Sequence, residues 1–123
     1  MNLIYIAGGG AAGALLRYGM SNGVHALFGR GFPYGTLAVN VLGSILIGLC
    51  YVFLVERPGV DPYWRAALMI GLLGSFTTFS TFSMETLNLL EGGQPLKAAI
   101  NILLSVTFCI AGAWAGLTIG RRL

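Results

Sequence analysis

Three stretches of this chain contain no Asp, Glu, Lys or Arg: residues 31–55, 66–84 and 98–120, windows of 25, 19 and 23 residues. A fourth, shorter window covers residues 1–16. A helix needs about 20 apolar residues to cross a bilayer core, so each of the three long windows is the length of one crossing. Composition leaves no alternative to a membrane setting. Only 9% of the 123 residues are charged and 56% are apolar, whereas a soluble domain carries about 25% charged residues to build its water-facing surface. The mean hydropathy of +0.82 agrees. The windows predict a single all-α membrane domain, 1–123, with four transmembrane helices at about 3–25, 36–55, 66–90 and 96–119. The connections, residues 25–34, 56–63 and 91–95, each contain Gly and Pro, which stop helices and permit tight turns.

No basic residue precedes the first apolar run, and Gly8, Gly9 and Gly10 interrupt it, so it reads as the first helix of the mature protein and not as a cleavable signal. No internal repeat, linker or extramembrane domain is expected. With four spans, Arg57, Arg65, Arg121 and Arg122 share one side and Arg30 and Lys97 the other. Four against two is a weak positive-inside bias, compatible with insertion both ways round or with one weakly favoured topology. The net charge of +3 is spread too thinly to track nucleic acid, and its place is at lipid headgroups.

Several motifs carry a bland and a functional reading. Gly8-Gly-Gly10-Ala-Ala-Gly13 matches the dinucleotide fingerprint by letters, but no βαβ unit surrounds it and the first acid is Glu56. Gly9-xxx-Gly13 and Gly112-xxx-Gly116-xxx-Gly120 instead mark helix faces where backbones approach closely, and a four-helix unit this compact is expected to be oligomeric. Cys50 and Cys109 lie in apolar runs without metal-ligand neighbours and read as structural. One histidine, no paired carboxylates within a span and no ligand cluster leave nothing from which to assemble a catalytic site.

Residues 71–85 are different. Ser75, Thr77, Thr78, Ser80, Thr81 and Ser83 put six hydroxyls into nine positions in the middle of a span, next to Gly71 and Gly74. Glycine and β-branched residues weaken regular helix, and irregular backbone survives at membrane depth only when buried in protein or lining a wet cavity. The segment therefore predicts a third helix broken near its middle. Phe76, Phe79 and Phe82 recur every third position, either as a packing stripe or as ring edges, which are electropositive and receptive to an anion. Asn40 is a full amide inside the second span whose donors require a partner helix or a permeating ligand. Arg17 is the lone base of the first span, reaching the interface by snorkelling or drawing anions into a vestibule. Ser105 and Cys109, four apart on the last span, could continue a polar track. Glu85, towards the end of the third span, reads as an interfacial or paired carboxylate, and His25 as an interfacial histidine.

At these residues the sequence resembles the Fluc/CrcB fluoride channels of bacteria. The resemblance rests on Gly9-Gly10-x-x-Gly13 with Arg17-Tyr18, on Gly35-Thr36-Leu37 with Val39-Asn40, and on the run from Gly71 through Gly74, Thr77, Thr78, Phe79, Ser80, Thr81, Phe82 and Ser83 to Glu85. What the resemblance implies is an antiparallel, dual-topology homodimer in the bacterial cytoplasmic membrane, with two fluoride pores built from both subunits and a structural sodium ion at the dimer centre. It assigns the sodium to the backbone carbonyls of Gly74 and Thr77. The fluoride pathway it implies comprises Asn40, Phe79, Phe82, Ser80 and Thr81, with Ser105 and Cys109 on the fourth helix, where Cys109 replaces an expected hydroxyl. The implied activity is passive fluoride export. A small four-helix multidrug or cation exporter is the alternative, but it requires a buried carboxylate that residues 1–55 lack; a purely structural subunit leaves the polar third span unexplained.

Overall fold

The computed structural model describes residues 2–123, and every regular element in that range is helical. Helix α1 is Asn2–Phe28. Helix α2 is regular over Tyr34–Cys50 and continues through Tyr51–Glu56 in wider, π-helical turns. The third pass, Pro62–Glu91, comes in two pieces: α3 (residues 62–76), whose middle, Ala66–Leu73, is π-helical, and α4 (Phe79–Glu91). Helix α5 is Pro95–Arg122. The second, third and last passes are long and apolar enough to cross a membrane. With 27 residues α1 has the length as well, and its glycines and Arg17 dilute its hydropathy. The helix ends follow local chemistry. Asp61 caps α3 by accepting from the Tyr63 N–H, Pro62 and Pro95 occupy first turns that need no N–H donor, and the three connections turn at Gly29, Gly59 and Gly93 with positive φ.

Two helix pairs form the interior, α1 against α3 and α2 against α5. Both rest on glycine. Gly9 and Gly13 of α1 lie directly against the Ala67 and Leu72 carbonyls, and Gly71 lies against the Ile6 carbonyl. Across the molecule, Gly48 meets the Ala113 carbonyl and Gly116 the Ile45 carbonyl, while Gly120 abuts Val52. The two glycine stripes are thus consumed inside one chain, where backbone-to-backbone dispersion replaces the absent hydrophobic driving force. Large apolar side chains point outwards, as Leu15, Ile70, Ile110 and Trp114 do.

The two ends carry the marks of membrane interfaces. At one, Tyr5 stacks on Tyr63 and meets the edge of Trp64; at the other, Phe28, Phe32 and Tyr34 cluster, as aromatic residues do at headgroup level. The first end also holds three arginines bound to helix termini. Arg121 forms a two-bond pair with Glu56, Arg57 lies over the Phe53 ring and donates to the Gly120 carbonyl, and Arg65 donates to that of Leu54. Lys97 donates to the Gly31 carbonyl at the opposite end.

Candidate functional site

The third pass is interrupted at Thr77 and Thr78, whose backbones are extended (φ −84°, ψ 157° and φ −151°, ψ 123°). A break at this depth strands polar backbone groups, each costing about 1–3 kcal/mol if left unpaired, and side chains take them up. The Asn40 amide grips Thr78 from both sides: the Thr78 N–H donates to Asn40 Oδ1 at 2.8 Å and Asn40 Nδ2 donates to the Thr78 carbonyl at 2.9 Å. Thr78 in turn caps α4, its Oγ1 accepting from the Thr81 N–H at 3.2 Å. Thr77 gives both its N–H and its hydroxyl to the Leu73 carbonyl. Arg17 does not reach outwards along the helix; its Nε donates to the Ser75 carbonyl at 3.1 Å. The carbonyl end of α3 and the amide end of α4 consequently meet across two residues, bringing a partial negative and a partial positive charge to one place.

Beside the break runs a groove of about 450 Å³ between α2, the third pass and α5. Asn40, Gly74, Thr77, Phe79, Phe82, Ser105 and Cys109 all line it, together with Ser44 and Thr78. Among the three phenylalanines of the stripe, Phe76 belongs to the core and packs over Gly43. Phe82 is buried with its ring centroid 5.4 Å from that of Phe79, which stands 76% exposed at the lip. Ser80 and Thr81 are not among the lining residues: Ser80 Oγ lies 3.4 Å from Thr78 Oγ1, and Thr81 contributes its backbone N–H to the cap. Ser83 bonds back to the Phe79 carbonyl, the ordinary behaviour of a hydroxyl in a membrane helix.

Three polar residues that sequence reasoning passed over join the site. Asn101, 1% exposed, donates to Thr86 Oγ1 at 2.9 Å and lies 3.4 Å from Ser105 Oγ, while Thr86 donates to the Phe82 carbonyl. Ser44 lines the groove opposite. The signal for Asn101 was available, since it lies four residues before Ser105, as Ser105 does before Cys109. Glu85, adjacent to Thr86 in this network, is half-buried, and its Oε1 is buried without a hydrogen-bond partner among the described residues. His25 is buried at the end of α1, with Nδ1 3.2 Å from the Gly29 carbonyl. Cys109 and Cys50 are free thiols.

Residues 4–117 match the family described as "CrcB-like protein, Camphor Resistance (CrcB)". Among similar proteins, "Fluoride-specific ion channel FluC" of Coxiella burnetii is 52% identical over 124 aligned positions, covering all of both chains. A protein of the same name from Methylococcus capsulatus is 52% identical over all of this chain and 54% of its own length. The one from Citrifermentans bemidjiense is 50% identical over 98% of each chain.

Proposed function

The chain belongs to the CrcB family, and from that premise we propose that it is a fluoride-selective channel of the bacterial cytoplasmic membrane, working passively as an antiparallel homodimer. One observation carries this reading: the groove beside the break gathers Asn40, Phe79, Phe82, Ser105 and Cys109 into one lining. That lining offers amide, hydroxyl and thiol hydrogens and aromatic edges, with no basic side chain among its members. Fluoride is the anion such a surface suits. It is small and strongly hydrated, so several short, fixed donors are required to offset the loss of its water, and weakly attractive walls let it leave again. Arg17, held at the Ser75 carbonyl, adds a positive charge near the break without entering the lining.

The groove is open towards the lip where Phe79 stands exposed. A second, inverted copy supplies a wall there, and two-fold symmetry then produces two equivalent pathways. The break also suits a cation. Gly74 and Thr77 line the groove, the Thr77 hydroxyl is committed to its own backbone, and no carboxylate is among the lining residues. Hard carbonyl oxygens without an acid favour a monovalent ion, in line with the sodium expected at Gly74 and Thr77. Bound sodium would supply fixed positive charge between the two anion pathways. Export needs no energy source: fluoride that enters as the neutral acid dissociates in the cytoplasm and leaves down its electrochemical gradient. A proton-coupled drug exporter is not favoured, because Glu85 lies outside the groove lining.

Insertion tests the assembly. The chain carries only a small excess of Lys and Arg at one end, so two added lysines should force one orientation. Such a variant expressed alone should lose fluoride efflux and regain it when co-expressed with an oppositely biased copy. Full efflux from a uniformly oriented population would contradict the antiparallel dimer.

A further inference from the structure

In a continuous α-helix the Thr78 N–H would donate to the Gly74 carbonyl and the Thr81 N–H to that of Thr77. Neither does so here. The first goes to Asn40 Oδ1 and the second to Thr78 Oγ1. We propose that Asn40 and Thr78 are positioning residues for the central cation: their side-chain oxygens divert these two amides, hold residues 77 and 78 extended, and so release the Gly74 and Thr77 carbonyls for coordination. The inference rests on the reading of the break as a cation site.

The neighbouring carbonyls show the same sorting from the other side. Leu73 accepts twice from Thr77, Ser75 accepts from Arg17, and Thr78 accepts from Asn40. Three carbonyls of the stretch are thus occupied by donors of the protein, and the two whose helical donors are diverted belong to residues that line the groove. The two-point grip of Asn40 fixes the plane of the peptide groups it touches, which a single bond would leave free to rotate. An amide side chain has two N–H donors, so after the bond to Thr78 one remains for the groove that Asn40 lines. One side chain thereby serves both the anion pathway and the cation site, and a substitution there disturbs the two together. Thr78 also lines the groove, so its variants are read on sodium binding and not on flux.

The purified dimer would be unfolded thermally across a sodium titration, with N-methylglucamine replacing the ion. Thr78→Val keeps the side chain's shape and removes the acceptor, and should raise the half-saturating sodium about tenfold, the scale of one lost hydrogen bond. Thr78→Ser keeps the acceptor and should stay within about twofold. A Thr78→Val protein with wild-type half-saturation would overturn the inference. A wild-type protein indifferent to sodium would instead overturn the central-cation reading, and this inference with it. Amide hydrogen exchange on the wild type covers the case in which Thr78→Val does not fold. The Thr78 and Thr81 amides should exchange slowly with and without sodium, because protein side chains hold them; protection that arises only with sodium would overturn the proposal.

Discussion

Phe79 and Phe82 are both phenylalanines three residues apart, yet one is 76% exposed and the other buried. If their function lies in the electropositive ring edge, bulk alone cannot replace them. Phe79→Ile and Phe82→Ile should each lower fluoride flux about tenfold, equivalent to ~1.4 kcal/mol in barrier, while both variants elute from size-exclusion chromatography as the wild type does. Unaltered flux in both variants would mean that the rings act only as packing. At this scale the sequence is legible where a residue type is costly in lipid. Asn40 and Arg17 could be singled out because a buried amide or base requires a partner. That the partners are the Thr78 peptide group and the Ser75 carbonyl was not legible, since 38 and 58 residues of chain separate them and only folding brings them together.

The third pass shows why its break could be placed from sequence and its neighbours only in part. Hydroxyls and glycines crowded into residues 71–85 weaken helix locally, and a local cause leaves a local signature. The π-helical turns over Tyr51–Glu56 and Ala66–Leu73 have no comparable signature. The glycine stripes were legible as close packing, but not as packing within one chain, because a small face does not name the face opposite. Asn101, an amide in an apolar run, carries the same signal as Asn40 although it was passed over; only its partner, Thr86 on another helix, was not legible. The stripes make a separate prediction. A Cβ at Gly116 falls against the Ile45 carbonyl, whereas one at Gly8 meets nothing within 4 Å. Gly116→Ala should destabilise the protein by about 1–3 kcal/mol through overpacking of backbone against backbone. Gly8→Ala, gaining helix propensity in open space, should be neutral or stabilising by up to about 1 kcal/mol. Thermal unfolding in detergent compares the two, and an equal loss in both would contradict the packing described.

For the molecule as a whole, glycine backbones, apolar side chains such as Val39, Val52 and Phe76 and a few polar ones such as Asn101 and Ser105 lie inside, while many large apolar side chains face out. Both ends are closed by aromatic clusters, and the arginine-rich end is tied together by Arg57, Arg65 and Arg121. What remains open is the groove, whose lining has hydrogen-bond donors and ring edges but no fixed positive charge. If that groove is the proposed pathway, it selects by fit and donor geometry, and charge alone does not admit an ion to it. Chloride, larger and less able to approach the donors closely, should be turned away although it carries the same charge. The most direct measurement is therefore anion efflux from liposomes holding the purified protein, loaded in parallel with fluoride or chloride and followed by ion-selective electrodes. Fast fluoride release with chloride release at the level of protein-free liposomes is the predicted result; comparable release of both anions would contradict the account.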